Sequence, residues 1–217
     1  MDTKSKLFQE LINFAKNNLN FDDYFICVYG SCLTSQFSDN SDLDIFIATK
    51  DYSVDDFKKI RDFIIDLHFR NNLKIDEEIP YKNKLVVLYK DIKDAISLEP
   101  FIKNNHKYIV PPIKTTKKYL QSREVRLRLI LNALTSPNKF IYGNKLKYTR
   151  FKKEAEKAII QLAYGLIGKK HLSANEIIYS LTIGIHGEKN QSHLGYKIQR
   201  QEVMTHLKKM VKRNNLF

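Results

Sequence analysis

Apolar and polar residues follow two different periods along the first half of the chain. Apolar residues at helical spacing predict one helix over residues 4–18 and a second over residues 54–69. Runs of strand-forming residues predict one strand at residues 24–29 and another that opens at residues 42–44 and ends at residue 48. The N-terminal half is therefore predicted to combine helices and strands.

The mixed pattern of helices and strands continues past residue 70 and ends near residue 112. Residues 73–80 alternate apolar and polar side chains, which predicts a further strand, and residues 81–89 contain another apolar run. Pro111 and Pro112 follow, and they can continue neither a helix nor a central strand. We therefore predict a domain boundary near residue 112.

The remainder of the chain is predicted to be helical. Apolar spacing predicts helices over residues 117–135, 149–167 and 199–211, and Ser173 with Glu176 predicts the start of another. The predicted fold class is α/β (α+β). It comprises a mixed sheet with helices in residues 1–112, followed by a helical domain in residues 113–217.

Composition is that of a globular protein outside the membrane. Hydrophobic residues make up 43% and aromatic residues 12% of the 217 residues. There is no run of about 18 apolar residues and no apolar signal-peptide region, so we expect a cytoplasmic protein with no membrane partner. Cys27 and Cys32 are the only cysteines, and we expect both to be reduced and mostly buried.

Charge is distributed unevenly along the chain. Residues 1–100 contain 13 Lys or Arg and 18 Asp or Glu, whereas residues 101–217 contain 24 and 6. A basic second half is expected if it binds a triphosphate or a polyanionic acceptor. A solvated basic surface explains much of the same excess, so charge alone does not identify the acceptor.

Most of the candidate functional residues lie where the strand predicted at residues 24–29 ends and the strand predicted at residues 42–48 begins. Gly30 lets a backbone approach closely. Ser31 is predicted to begin a short helix that ends near Phe37 and whose N–H groups attract an anion. Alternation in a strand places Asp42 and Asp44 on one face. Two such carboxylates repel each other unless a cation lies between them, and hard oxygen ligands suit Mg²⁺. A metal ion and a triphosphate are the expected occupants.

This arrangement resembles the signature of the DNA polymerase β superfamily of nucleotidyltransferases, in which a strand, Gly-Ser and an Asp-x-Asp strand follow one another. Gly30, Ser31, Asp42 and Asp44 match it one by one. The resemblance implies a palm-like mixed sheet and a third catalytic carboxylate on a neighbouring strand. Asp76 is the candidate, and Glu78, in phase with it, is the alternative. The family pattern has an apolar residue where Glu77 stands.

The resemblance also implies the reaction. An NMP, AMP being the expected one, would pass from an NTP to a hydroxyl of a small molecule, and pyrophosphate would leave. Asp42, Asp44 and Asp76 would be both the catalytic and the metal-binding residues for two Mg²⁺ ions. Gly30 and Ser31 would bind the nucleotide. Lys118, Arg123 and Arg126 are also expected to bind it, because they lie on the first helix predicted after the boundary and arginine binds phosphate in a bidentate geometry.

Several alternatives remain open from the sequence. RNA, tRNA or a protein could replace the small molecule as acceptor, as in toxin-like relatives. A catalytically inert, basic nucleic-acid-binding protein is the competing class, and a purely structural role ranks third. The oligomeric state is not predicted, and His68 is assigned no role.

Overall fold

The computed structural model describes most of the chain as two compact units. The described residues are 3–35, 37, 41–75, 86–103, 107, 108, 122–167 and 197–214. Unit 1 comprises Met1–Lys90 with Asn138–Thr149, and unit 2 comprises Asp91–Pro137 with Arg150–Phe217. Each unit thus combines two separate stretches of the chain. The boundary predicted near residue 112 lies outside the described residues.

Both halves of the sequence contain helices and strands. The described helices are α1 (Thr3–Asn18), α2 (Val54–Arg70), α3 (Tyr89–Ser97), α4 (Arg123–Thr135), α5 (Lys145–Ile167) and α6 (Lys197–Arg213). The described strands are β1 (Tyr24–Tyr29), β2 (Asp44–Thr49), β3 (Val86–Leu88), β4 (Ile102–Lys103), β5 (Lys107–Tyr108) and β6 (Asn138–Gly143). The predicted mixed α/β fold class is confirmed.

A four-stranded mixed sheet forms the frame of unit 1, in the order β3-β2-β1-β6. Strand β1 is antiparallel to both β2 and β6, and β2 is parallel to β3. The C-terminal end of β1 and the N-terminal end of β2 therefore lie side by side, which brings the Gly-Ser and Asp-x-Asp segments to one end of the sheet.

The core of unit 1 lies between α1, α2 and one face of this sheet. Alternation along the strands directs every second side chain to that face. The helices contribute Leu7, Leu11, Ala15, Ile60, Ile64 and Leu67, and the strands contribute Ile26, Val28, Ile45, Ile47 and Val86. On the other face, the ring of Phe25 packs against the rings of Phe46, Tyr89 and Tyr148.

Helix α2 begins as the sequence predicts. The Ser53 hydroxyl accepts a hydrogen bond from the Asp56 N–H, and the Asp56 carboxylate accepts one from the Ser53 N–H. This reciprocal capping box satisfies two N–H groups at the helix start. Cys27 and Cys32 are also as expected, because both are buried and neither is in a disulfide.

The short helix predicted from Ser31 to about Phe37 is wrong. The structure has a single 3₁₀ turn at Gly30–Leu33, and the backbone of Thr34 is already extended. The Thr34 N–H and hydroxyl both donate to the Ser31 carbonyl, at 2.9 and 2.8 Å, and these bonds close the turn after four residues. An anion site built on a full helix N-terminus therefore does not apply here.

The all-helical prediction for the C-terminal part is also wrong in one place. Strand β6 belongs to that part and pairs with β1 of unit 1. The strand predicted at residues 73–80 lies outside the described residues beyond residue 75.

Polar contacts join the helices of unit 2. Arg213 of α6 donates to Glu156 of α5 at 2.6 Å, and the Glu156 side chain is 6% exposed. His206 of α6 donates from Nε2 to the carbonyl of Thr135 at the end of α4, at 2.8 Å. Arg128 of α4 is fully buried, and burial lowers its pKa to about 9.

Within the part of the chain that the structure describes, no helix has the length and apolar character needed to cross a membrane.

Candidate active site

The site begins where the C-terminal end of β1 pairs with the N-terminal end of β2. Tyr29, the last residue of β1, lies opposite Asp44, the first residue of β2. Gly30 follows and has a φ of +75°, which favours glycine. A Cβ atom at Gly30 would lie 2.3 Å from Asp44 Oδ2, so the carboxylate packs directly against the glycine backbone. The two halves of the predicted motif are therefore adjacent in space.

The 3₁₀ turn at Gly30–Leu33 presents a buried hydroxyl beside this contact. Ser31 Oγ is buried, and no described residue forms a hydrogen bond with it. A buried hydroxyl normally has a partner, so this atom is suited to a ligand oxygen. Lys4 of α1 supports the turn by donating to the Thr34 carbonyl at 2.8 Å.

The second aspartate lies close to the same turn. Asp42 precedes the first residue of β2 by two positions, so it lies outside the strand that was predicted to carry it. The pKa of the Cys32 thiol is raised to about 12 by burial and then by the negative charge of Asp44 and, more weakly, of Asp42, whereas Lys4 lowers it. Because both charges act on one thiol, both carboxylates lie within electrostatic range of the turn.

These carboxylates are suited to a divalent cation. Asp42 and Asp44 supply hard oxygen ligands, which Mg²⁺ prefers, and Mg²⁺ usually completes its shell with water and substrate phosphate. Among the described residues, no group of three or more His, Cys, Asp or Glu side chains could hold a metal ion. Asp76 and Glu78, the candidates for the third carboxylate, lie outside the described residues. The described donors fit a cation that takes further ligands from elsewhere.

A protein family matches the part of the chain that contains this site. The family model described as the nucleotidyltransferase domain matches residues 9–120, just over half of the 217 residues. The chain belongs to this nucleotidyltransferase family. None of the curated proteins and none of the solved structures matches it significantly. The chain is accordingly a transferase, and its general activity is nucleotidyl transfer.

Two of the phosphate-binding residues predicted for this nucleotidyltransferase lie on α4 in unit 2. The Arg123 side chain is 58% exposed and donates to Asp94 at 3.0 Å. Arg126 is half-buried. Lys118, the third of them, lies outside the described residues. A role for these residues in nucleotide binding stays a prediction.

One residue at the site of this nucleotidyltransferase, His68, has no role predicted from the sequence. His68 of α2 is fully buried, and its Nε2 lies 3.1 Å from the backbone N of Leu43, between the two aspartates. The contact joins a side chain to a backbone group 25 residues away. No sequence pattern predicts such a contact. The one signal in the sequence is a histidine on an otherwise apolar helix face.

Proposed function

We propose that the chain is a metal-dependent nucleotidyltransferase that transfers an NMP, with AMP expected, from an NTP to a hydroxyl of a small molecule. The observation that carries the proposal is the contact between the Asp44 carboxylate and the Gly30 backbone at the end of adjacent strands. It joins a cation ligand to a turn that a phosphate can approach closely.

Each residue of the site has a role in this proposal. Asp42 and Asp44 hold Mg²⁺, with Asp76 as the third carboxylate. When bound, Mg²⁺ ions neutralise charge on the phosphates and lower the pKa of the attacking hydroxyl. Gly30 leaves room for the phosphates, and Ser31 Oγ donates to a phosphate oxygen.

The reaction is an in-line displacement. The bond between the acceptor oxygen and the α-phosphorus forms as the bond to pyrophosphate breaks, and the hydroxyl proton leaves to a base or to water. Orienting these groups and neutralising their charge supply most of the acceleration.

A small-molecule acceptor is proposed from the sequence: among members of the superfamily that the motif resembles, the antibiotic-modifying nucleotidyltransferases are similar to this chain in size and layout, and they place a nucleotide on a small hydroxylated molecule. Lys118, Arg123 and Arg126, in the basic C-terminal part, are proposed to bind the triphosphate. RNA and protein acceptors belong to the same reaction class, so the experiment includes both.

The test is transfer of label from each of the four α-labelled NTPs in the presence of Mg²⁺. Acceptors are an aminoglycoside and lincosamide panel, total tRNA and cell-lysate protein. Transfer to one class is expected to fall at least about 100-fold in Asp44→Asn and in Asp42→Asn. Asp62→Asn is the matched control, because that side chain is 64% exposed and pairs with neighbouring Arg61.

Label found only in tRNA or protein would replace the small-molecule part of the proposal. A wild-type protein that neither transfers label nor binds any Mg²⁺-NTP would overturn the whole of it. The basic nucleic-acid-binding alternative would then be tested by salt-dependent RNA binding.

A further inference from the structure

His68 holds one protonation state through two hydrogen bonds inside the core. Its Nε2 lies 3.1 Å from the Leu43 N, and its Nδ1 lies 2.7 Å from the Ile64 carbonyl oxygen. A backbone N–H can only donate, so Nε2 accepts. A carbonyl can only accept, so Nδ1 carries the proton and donates. The ring is therefore the neutral Nδ1–H tautomer, with its one acceptor directed at Leu43.

The backbone on each side of Asp42 forms one hydrogen bond. The Lys74 N–H donates to the Ser41 carbonyl at 3.1 Å. On the other side of Asp42, the Leu43 N–H donates to His68 Nε2 at 3.1 Å. Asp42 is thus held between one backbone hydrogen bond and one histidine hydrogen bond.

The same segment is fixed at its other side by the core and by β1. The Leu43 side chain is 3% exposed within the apolar cluster under the sheet, and Asp44 is paired with Tyr29. The Leu73 N–H also donates to the His68 carbonyl at 2.9 Å, which joins the end of α2 to the Lys74 segment. His68 is therefore the link between α2 and the peptide that separates the two aspartates.

We infer that His68 is a positioning residue for the metal site: its Nε2 holds the Leu43 peptide so that Asp42 and Asp44 present their carboxylates to one cation. The inference rests on the proposed function, since it assigns a role within the same site. A histidine that only fills the core would contribute to stability without affecting cation affinity, and this difference is measurable.

Two substitutions separate the two hydrogen bonds. His68→Gln places an amide oxygen as many bonds from Cβ as Nε2, so it can accept from Leu43. His68→Asn ends at the position of Nδ1, so it can donate to Ile64 but cannot reach Leu43. Ser53→Ala is the control, because it removes the cap at the opposite end of α2 and leaves the Leu43 contact intact.

The measurement is the binding of Mn²⁺ to the full chain without nucleotide, followed by electron paramagnetic resonance. We expect the dissociation constant to rise about 10- to 100-fold in His68→Asn and to stay near the wild-type value in His68→Gln and Ser53→Ala. Hydrogen exchange at the Leu43 amide should accelerate in His68→Asn only. Folded fractions are determined by circular dichroism, so that affinity is compared per folded molecule.

Equal Mn²⁺ affinity in His68→Asn and wild type would overturn the inference, provided that Asp44→Asn loses binding. If wild-type binding is itself absent, or persists in Asp44→Asn and Asp42→Asn, the proposed metal site fails and the positioning role fails with it. The aspartate variants therefore distinguish the two failures. If His68→Asn does not fold, loss of affinity in a folded His68→Phe decides in favour of the inference, and retained affinity decides against it.

Discussion

Gly30 is constrained by its backbone conformation and by its contact with Asp44, and substitution by alanine tests both constraints. Its φ is +75°, and an added Cβ would lie 2.3 Å from Asp44 Oδ2. Gly30→Ala should cost about 1–2 kcal/mol of stability from the left-handed backbone. Because a carboxylate can swing away more easily than a backbone, the clash should displace Asp44 and lower nucleotidyl transfer about 100-fold per folded molecule. Urea unfolding and the label-transfer assay measure the two effects.

Gly143 provides the matched comparison for this substitution. It has a φ of +96°, and an added Cβ would meet the Tyr24 carbonyl oxygen at 2.3 Å. It lies at the opposite end of β1, opposite Phe25. Gly143→Ala should therefore lose at least as much stability as Gly30→Ala while keeping its activity per folded molecule. Equal losses of activity in the two variants would contradict the assignment of Gly30 to the site.

Residue-level prediction from the sequence works where the signal is local. Gly30 and Asp44 are 14 positions apart in a recognisable pattern, and the structure brings them into contact. The helix expected after Ser31 does not form, because two donors of Thr34 end the turn. These hydrogen bonds have no signature in apolar spacing, so the sequence pattern does not predict them. The hydrogen bond from Leu43 to His68 depends on tertiary packing, so no local pattern contains it.

At the scale of elements, Asp23 accepts hydrogen bonds from four residues of unit 1. Its carboxylate accepts hydrogen bonds from Tyr89 (3.2 Å), Asn144 (3.0 Å) and Lys147, and its carbonyl accepts one from Thr49 (3.3 Å). Burial alone would raise its pKa, but these bonds and the charge of Lys147 hold the pKa below the usual 3.8. The carboxylate thus contributes stability that is present above pH 3.8 and is lost as pH falls through the lower folded-state pKa.

Asp23→Asn should therefore lower the free energy of unfolding by about 1 kcal/mol at pH 7. The gap between wild type and variant should close below about pH 4, as measured by urea unfolding at several pH values. Asp22→Asn, at the exposed neighbouring position, should change little at either pH. If the difference in free energy of unfolding between wild type and Asp23→Asn does not change with pH, the ion pair between Asp23 and Lys147 contributes nothing to stability.

His206 makes the stability of unit 2 depend on pH, in a higher pH range than the one in which Asp23 acts. Burial lowers its pKa below 6.5, the charges of Lys152 and Arg213 act in the same direction, and the bond to Thr135 and the charge of Glu156 oppose them. Because the unfolded chain binds this proton more readily, the stability of unit 2 should fall as pH drops below 6.5. His206→Gln keeps a donor for Thr135 and should cost less than about 1 kcal/mol at pH 7.5.

The same substitution should flatten the pH dependence between about pH 7 and pH 5. Urea unfolding of wild type and His206→Gln, followed by helix circular dichroism, measures this. Identical pH profiles for the two proteins would exclude His206 as the source of the sensitivity.

The elements that the sequence predicts are those with a clear period. Helices α1 and α2 have an apolar face and strand β1 a continuous apolar run, and their bounds differ from the expected ones by at most one residue. Strand β6 has no such signal, because its residues are half-buried or exposed throughout and its sequence, NKFIYG, lacks alternation. Its place in the sheet is decided by β1, which lies more than 100 positions earlier.

At the scale of the whole molecule, the sheet of unit 1 depends on a strand that the family match does not reach. The match ends at residue 120, whereas β6 spans Asn138–Gly143. The Asn144 N–H also donates to the Tyr24 carbonyl at 2.7 Å. We expect the slowest amides of β6 to exchange with an opening free energy within about 1 kcal/mol of those of β1 and β2.

Native-state hydrogen exchange followed by NMR or mass spectrometry tests this expectation. Fast exchange in β6 beside protected β1 and β2 would show that the matched region is a stable unit without its fourth strand. The amides of α4 in unit 2 serve as an internal reference, since the two units need not open together.

The late position of β6 has a consequence for synthesis of the chain. Roughly 90 residues separate the end of β2 at Thr49 from the start of β6 at Asn138. At roughly 5–20 residues per second, a ribosome needs about 4–18 seconds to translate that interval. During this time β1 can pair with β2 but not with β6, so one of its edges can hydrogen-bond to other chains. The nascent protein passes through a stage in which a chaperone, or another nascent copy, competes for the place that β6 will fill.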